Sequence, residues 1–451
     1  MAGSAGGDAA REALARLDEA EIAHLWVVYT DYNGRSQGKA VPRSRFASAL
    51  DGGISFARAN LGHDVTDHQA PDTIFSADSG DFFAVPDPAA IAPYPLTPRT
   101  ARAICWMRQE GGAPWDGCPR TAVQRQVERL AAHGLTVRAA FEPEGYLFRL
   151  GPDGQPQPFE ARGMFTIEAL DVQSAVLHAI SETLEAMGVG VEQAAPEYGP
   201  GQIEINLRHA EPIKAADDLV ALKDVTRAVA RQEGLVASFM PKPFENAAGC
   251  GLHIHLSLWN VDGSSAMEGD DGHPSGFSPV GRAFMGGLLA HARALCGIGA
   301  PTFNSAKRLQ PGSWAPAHAA YAPRNRSALV RIPSAARRRI EFRAGDNTSN
   351  PYLLLAALLA AGLDGIERDL DPGAPAEGDL GHLTDAQLAA QGIAVLPRST
   401  RDALDAVAAD ETLLAALGPI LLPEWLKVKR SELATAETIV SPWERAAYLR
   451  V

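Results

Sequence analysis

Three short stretches of the chain set chemically active residues two positions apart. "FEPEGY" carries Glu142 and Glu144, "GLHIHLSL" carries His253 and His255, and "RRRIEFR" carries Arg339, Glu341 and Arg343. Side chains at i and i+2 of a strand share one face, so each stretch, if extended, presents a functional face. The opposite faces are apolar: Leu252, Ile254 and Leu256 in one case, Ile340 and Phe342 in another. Glu204 stands in the same way between Ile203 and Ile205 in "GPGQIEINL". Solvated strand faces also alternate, yet these carry only Glu, His and Arg, without Lys or Asp. Carboxylates with one or two imidazoles are a hard-cation set, suited to Mg²⁺ or Mn²⁺ more than to a thiolate-rich zinc site. Arginines on the same sheet supply planar forks for phosphate or carboxylate oxygens. Together they describe metal-assisted phosphoryl transfer, with cations bridging nucleotide phosphates and Arg neutralising the developing charge. No GxxxxGK[ST] loop or kinase signature occurs, and nothing supports a Ser-His-Asp or Cys-His arrangement.

These residues need strands to align them, and the surrounding sequence supplies a mixed pattern. "HLWVVYTDYNGRSQGKAVP" reads as strand, Asn33-Gly34 turn and strand. "RTAVQRQVERLAAHG" is an amphipathic helix closed by Gly134. "LTVRAAFEPEGYLFRL", "GQIEINLRH", "CGLHIHLSLW" and "RRRIEFRAG" read as strands. "DVQSAVLHAISETLEAMG" and "AADDLVALKDVTRAVARQEG" read as helices. Asn350-Pro351 opens a further helix over "LLLAALLAAGL", with Pro in the first turn. That run is too short to cross a bilayer, which takes about 20 residues. The Pro-rich passage from Val85, "VPDPAAIAPYPLTPRTARAI", favours extended linker backbone and predicts a boundary near residue 100.

The bulk properties bound the reading. A chain of 451 residues suggests about two or three domains, and 46% hydrophobic with 21% charged residues fits a folded soluble protein. A net charge of −13 argues against nucleic acid or an anionic membrane as the main partner. An anionic substrate would then need a local basic pocket or a metal ion. Cys105, Cys118, Cys250 and Cys296 form no CxxC pair, which fits a reducing cytoplasm. The start, "MAGSAGGDAAREAL", lacks an apolar core and reads as a loose tail, not a signal peptide.

In order along the chain, "EPEGYLF", "EYGPGQIEIN", "GCGLHIHLSL", "KRLQPGSWAP", "NRSALVRIP", "RRIEFRAGDNTSNPYL" and "SPWERAAYLRV" resemble the glutamine synthetase family in its bacterial form. The resemblance runs from about residue 25 to the end and is specific for the family, less so for the substrate. It implies an α+β fold: a flexible tail over 1–15, a β-grasp N-terminal domain over 16–103, and over 104–451 a larger catalytic α/β domain on a curved antiparallel sheet. It implies a homo-oligomer of two stacked hexameric rings, a dodecamer, with active sites between neighbouring subunits. The implied reaction uses ATP and Mg²⁺ or Mn²⁺ to phosphorylate the γ-carboxylate of glutamate, after which an amine displaces phosphate.

Carried over by motif, the resemblance gives Glu144, Glu197 and Glu204 to one metal ion and Glu142, His253 and Glu341 to a second. It places His255, Ser257 and Arg339 on the nucleotide side, with Glu192 near the ribose. Arg308 and Arg343 match the clamp on glutamate, beside the backbone of Gly249. Arg326 and Arg331 match the pair that stabilises the transferring phosphoryl group.

The departures concern the amine. In ammonia-using members a Glu on a closing flap stands where this chain has Trp314, inside "PGSWAP". The Phe-Asp-Gly-Ser-Ser motif is absent, and "SFARANLGHDVTDH" stands in its region, leaving Asp64 and Asp67 as candidates for its Asp. Asp81 matches a second family Asp. Met164 takes the place of a Tyr of the ammonium pocket, and Ala248 that of an Asn beside Gly249. No adenylylation tyrosine loop is recognisable. An ammonium pocket needs several acceptors around one small cation. Glu197 still offers one, but Trp and Met offer an apolar wall suited to a carbon skeleton or to a cationic head on an aromatic face. The sequence therefore favours a ligase for a primary amine such as a polyamine, ethanolamine or a small alkylamine. A Trp314 that merely anchors its loop, pinned by Pro311 and Pro316, is the plainer alternative.

Overall fold

The Asn33-Gly34 turn joins strands β1 (His24–Thr30) and β2 (Ser36–Pro42) as the sequence predicts. Gly34 takes φ 73°, and a Cβ there would stand 2.7 Å from the Ser349 carbonyl oxygen, so two constraints require glycine. The computed structural model describes residues 2–161, 163–269, 272–333 and 338–451.

With β3 (Ile54–Ala57), β4 (Asp81–Pro93) and β5 (Thr100–Arg108), the first two strands make a five-stranded sheet of order β2-β1-β5-β4-β3. The β1–β5 pair is parallel and the others are antiparallel. The Pro-rich passage expected as a linker is therefore strand β4 running towards β5. Pro86 and Pro88 fall at the edge of and inside the irregularity between Pro86 and Ile91, on the half of β4 that β3 does not reach, where a missing N–H is tolerated. Strand β5 continues past residue 103, the division expected from sequence. The segment expected as a loose tail carries helix α1 (Ala2–Glu19), which buries Ala13 and Leu17.

Helices α2 (Phe46–Gly52) and α3 (Pro119–Ala132) precede the second sheet. That sheet contains β6 (Leu135–Leu150), β7 (Pro156–Pro158), β8 (Val191–Pro196), β9 (Gln202–Leu207), β10 (Val236–Ser238) and β11 (Leu252–Asn260). After β12 (His318–Ala319), which pairs elsewhere, come β13 (Tyr321–Pro323), β14 (Val330–Ile332) and β15 (Ile340–Phe342). The order is β13-β14-β15-β11-β6-β9-β8, with β7 and β10 beside β6. Only β13–β14 is parallel among these pairs. The strand expected over "RRRIEFRAG" is confined to β15, so Arg339 and Arg343 flank it.

One face of this sheet is covered by α4 (Ile167–Ala186) and α5 (Pro212–Gln232). Further along are α6 (Pro279–Ala290), α7 (Ala292–Gly299), α8 (Ser305–Arg308) and α9 (Pro351–Glu367). The apolar run of α9 lies in the core, capped by the Asn350 side chain, which accepts from the Leu353 amide. No described helix is long and apolar enough to cross a membrane. The two sheets share one apolar core; Phe82 of β4 stacks on Trp115 with ring centroids 5.7 Å apart. Arg120 ties them in polar terms, bonding Asp217 of α5 and reaching Asp87 of β4 at 2.8 Å. All four cysteines are buried and free.

Candidate active site

The pleat of three adjacent strands does the assembly. Glu142 of β6 and His253 of β11 are directly opposed, as are His255 of β11 and Glu341 of β15. Glu144 of β6 opposes Glu204 of β9. Strand alternation then puts all six residues on one face, while Ile254, Leu256, Ile340 and Phe342 enter the core on the other.

Glu142, His253 and Glu341 bring one ligand atom each within 4.8 Å of one another. His253 Nδ1 lies 3.0 Å from Glu142 Oε1 and 3.7 Å from Glu341 Oε1. His255 Nε2 lies 3.3 Å from Glu142 Oε2, and Arg339 Nε donates to His255 Nδ1 at 3.3 Å. Because a guanidinium only donates, Nδ1 of His255 accepts and its Nε2–H faces Glu142. Glu341 is wholly buried and is held by Arg331 and Arg343. Burial would raise its pKa, but His253, Arg343, His255 and Arg331 pull it down to about 2. Glu142 is likewise held well below the carboxylate range by His253 and His255 in spite of its burial.

The neighbouring acids behave in the opposite sense. Burial together with Glu142, Glu144 and Glu197 pushes Glu204 up to about 9. Burial and Glu144 raise Glu197 too, with Arg326 opposing. Like-charged carboxylates forced together disfavour ionisation until a cation arrives. Their donor set, carboxylate oxygens with one imidazole, fits hard divalent ions. Glu142, His253 and Glu341 thus suit one of the two metal positions expected from the motifs.

Two cavities hold further expected site residues, and only the first is lined by an acid of this floor. One, of about 380 Å³, is lined by Glu142, Glu192, Asn206, His255, Ser257 and Arg339, among others; it gathers the whole expected nucleotide side. The other, of about 440 Å³, is lined by Pro311, Gly312, Trp314, Arg324, Asn325 and Arg326, among others. Trp314 has φ 61° and is 67% exposed, so it is not the packed anchor of the plainer reading.

The expected glutamate clamp is more engaged than its motif suggests. Buried Arg308 donates to the carbonyls of Ala344 (3.4 Å), Gly345 (3.0 Å) and Arg343 (3.2 Å). Its side chain abuts Gly249, where a Cβ would meet Arg308 Cγ at 2.8 Å. Arg343 holds Glu341 and donates to the carbonyls of Arg326 (3.0 Å) and Trp314 (3.4 Å). Arg331 keeps one buried donor, Nε, without a partner among the described residues.

Asp64 lines neither cavity. It is buried, and its Oδ1 accepts from the Thr66 amide, the Thr66 hydroxyl and the His68 amide within its own loop. Burial opposes its ionisation, yet those bonds hold its pKa below the ordinary value. Its Oδ2 has no partner among the described residues. Asp67 is exposed and lies 3.6 Å from Arg35. Met164 is 37% exposed.

Sequence reasoning passed over Gln202 and Asn206. Gln202 Nε2 donates to Glu144 Oε2 (3.1 Å) and the Gly249 carbonyl (3.0 Å). Asn206 Nδ2 donates to Glu142 Oε2 at 3.2 Å, and its Oδ1 is buried without a partner among the described residues. Both lie two positions from Glu204, so the spacing rule that found Glu204 also points to them.

Residues 116–448 match a family described as "Glutamine synthetase, catalytic domain". The chain belongs to the glutamine synthetase family. Among similar members, the glutamine synthetase of Thermus thermophilus is 35% identical over 445 residues, covering 97% of this chain and 98% of its own. The glutamate–methylamine ligase of Methyloversatilis universalis is 33% identical over 450 residues, covering 97% and 98%. A solved GmaS/ADP complex superposes with a TM-score of 0.87 at 32% identity, covering 97% of this chain and 99% of that one. The fold is that of the glutamine synthetase family, whose members use ATP and divalent metals on small-molecule substrates. This chain is a ligase of that family.

Proposed function

We propose that this ligase phosphorylates the γ-carboxylate of glutamate with ATP and couples it to a primary amine, releasing ADP and phosphate. The observation that carries the amine reading is Trp314: an exposed indole on the wall of the 440 Å³ cavity, where an ammonia-using relative would present an acid. A carboxylate is a poor electrophile until its oxygen becomes a leaving group, which is why an acyl phosphate must precede amide formation. Divalent cations held by Glu144, Glu197 and Glu204 and by Glu142, His253 and Glu341 would supply the charge neutralisation that phosphoryl transfer needs. Glu192, His255, Ser257 and Arg339 bind the nucleotide, and Arg326 and Arg331 stabilise the moving phosphoryl group. Arg308, Arg343 and the Gly249 backbone orient glutamate. Glu197 accepts the proton that the amine loses as it attacks the acyl carbon. Asp64, whose Oδ2 has no partner among the described residues, serves the amine pocket from a neighbouring subunit in a dodecamer of two hexameric rings, working in the cytoplasm.

Authentic glutamine synthetase is the second reading, favoured by retention of Glu197 and by the many relatives so named. A catalytically dead role is disfavoured by the complete ligand set Glu142, Glu144, Glu197, Glu204, His253 and Glu341. Phosphate release with Mg²⁺ or Mn²⁺, ATP and glutamate, screened against ammonium, methylamine, ethanolamine, putrescine and spermidine, tests the proposal. Turnover with an organic amine at concentrations where ammonium is ineffective is expected; turnover with ammonium alone would overturn it.

A further inference from the structure

Strand β9 turns one face to the acids of β6, and that face carries Gln202, Glu204 and Asn206 in alternation. Main-chain pairing of β6 with β9 spans Glu144 to Tyr146. The Glu144 amide donates to the Gly251 carbonyl at 3.0 Å, on the β11 side, so the N–H that Pro143 lacks is one that would have faced β9. The two chain segments meet again at the Ala139–Ala210 bridge. Between these points Glu142 has no main-chain pairing to fix it against β9. The cavity of about 380 Å³ opens there, lined by Phe141, Glu142, Asn206 and Leu207, among others.

A side-chain bond crosses the unpaired stretch. Asn206 Nδ2 donates to Glu142 Oε2 at 3.2 Å, and His255 Nε2 lies 3.3 Å from the same oxygen. A carboxylate only accepts, so the amide nitrogen and not the amide oxygen must face Glu142. With Oε2 held from two sides, Oε1 is left beside His253 Nδ1 at 3.0 Å, which in turn lies 3.7 Å from Glu341 Oε1. The acid thus turns one oxygen to its donors and the other to the cluster that can hold a cation.

The other end of the amide argues against a bracing role. Asn206 Oδ1 is buried without a partner among the described residues, which is unfavourable, and an apolar side chain of the same shape would avoid that cost. What the amide contributes is its donor, which serves Glu142 and stands near enough to Glu204 to favour its ionised form. Gln202 differs: its Oε1 accepts from the Gly199 amide at 2.8 Å and its Nε2 also donates to the Gly249 carbonyl at 3.0 Å, so it braces its loop. We propose that Asn206 is a positioning residue for a metal ion held by Glu142, His253 and Glu341, pinning Oε2 of Glu142 so that Oε1 is aimed at the ion. This rests on the metal reading of that cluster given above. Removing a side chain that orients a ligating carboxylate costs about 10- to 100-fold in metal affinity.

Calorimetric titration of the full chain with Mn²⁺, without ATP or glutamate, tests this beside thermal melts in chelator. Asn206→Leu keeps the shape of the side chain and removes both the donor and the unpaired oxygen. It should bind Mn²⁺ about tenfold or more weakly, while melting in chelator at the parental temperature or above. A brace would do the reverse, and a lower melting temperature with parental Mn²⁺ affinity would overturn the proposal. Asn206→Ala provides a second variant if leucine is not accommodated. Glu142→Gln separates the proposal from the reading beneath it. Parental Mn²⁺ binding by Glu142→Gln would end the metal reading and the proposal with it. Weakened binding by Glu142→Gln but not by the Asn206 variants would overturn the proposal alone. In the Glu142→Gln background, Asn206→Leu should cost little further affinity; an undiminished loss there would show that Asn206 does not act through Glu142. Weaker binding of ADP at parental Mn²⁺ affinity would make Asn206 a nucleotide contact instead, and would equally overturn the proposal.

Discussion

Arg343 joins Glu341 to Trp314: one terminal nitrogen holds the buried carboxylate, and the other donates to the Trp314 carbonyl at 3.4 Å. The same side chain donates from Nε to the Arg326 carbonyl at 3.0 Å. A candidate metal ligand, the segment bearing the indole and the segment bearing a candidate phosphoryl-stabilising arginine thus meet on one guanidinium. Lysine keeps the charge but cannot span three partners. Arg343→Lys should fold and yet lose about 100-fold in kcat/KM, the usual penalty when reacting groups shift by an ångström. Steady-state kinetics beside a circular dichroism melt check this, and near-parental activity would show that the fork geometry is idle.

Trp314→Glu restores the acid that the flap of ammonia-using relatives carries. Trp314 is two-thirds exposed and supports no core packing, so the substitution should leave the unfolding free energy within about 0.5 kcal/mol of the parent. Its effect should fall on substrate choice, with ammonium gaining relative to organic amines. An unchanged amine profile would remove Trp314 from the specificity argument.

Glu341 is the most constrained acid of the site, fully buried between Arg331, Arg343 and His253. Glu341→Ala leaves two arginines without their carboxylate and should cost about 3–5 kcal/mol of stability. Glu341→Gln keeps the shape and is the cleaner test of function. ATP turnover should vanish in both variants, measured as phosphate release, and retained turnover in the Gln variant would sink the metal assignment.

Much of this site was legible because strand alternation is a strict rule. Glu142, Glu144, His253, His255 and Glu341 were placed on shared faces by spacing alone, and the sheet aligns them as expected. Applying the same rule to "QIEIN" would have found Gln202 and Asn206, whose amides were passed over because they carry no charge. Spacing could not show that Arg308 and Arg343 would bond to backbone carbonyls, since those partners depend on loops folding back over the sheet. The Pro-rich passage was misread for a related reason. Local propensity marks a run such as "VPDPAAIAP" as linker, but pairing along β5 overrides it, with Pro88 inside the irregularity between Pro86 and Ile91.

Metal binding should be visible in stability. Burial and the acids around it push Glu204 up to about 9, so the metal-free site is electrostatically frustrated and a dication relieves it. A ligand present at about 100 times its Kd adds about 2.7 kcal/mol to the folded state. Mg²⁺ or Mn²⁺ should therefore raise the melting temperature of the chelator-treated protein. Glu204→Gln should melt higher than the parent without metal and gain less from it. A metal-independent melting temperature in the parent would contradict the acidic floor as a cation site.

Away from the site, His291 offers a pH dependence with a defined sign. Its Nδ1 lies 2.7 Å from Asp410 Oδ2 and its Nε2 lies 3.0 Å from Asp364 Oδ2. Only the imidazolium can donate to both. Burial works against that charge, but the hydrogen bonds that the ring donates to the two carboxylates prevail and raise the pKa above 6.5; Arg368, 2.8 Å from Asp364, is the nearby competing cation. Since the folded pKa exceeds that of the unfolded chain, the contribution is complete below about pH 6.5 and is lost as pH rises through the folded value. Thermal melts of the parent and of His291→Gln should differ most at mildly acidic pH and converge as the histidine deprotonates. A difference that does not change with pH would mean that His291 is neutral in the folded protein and holds only one of the two acids.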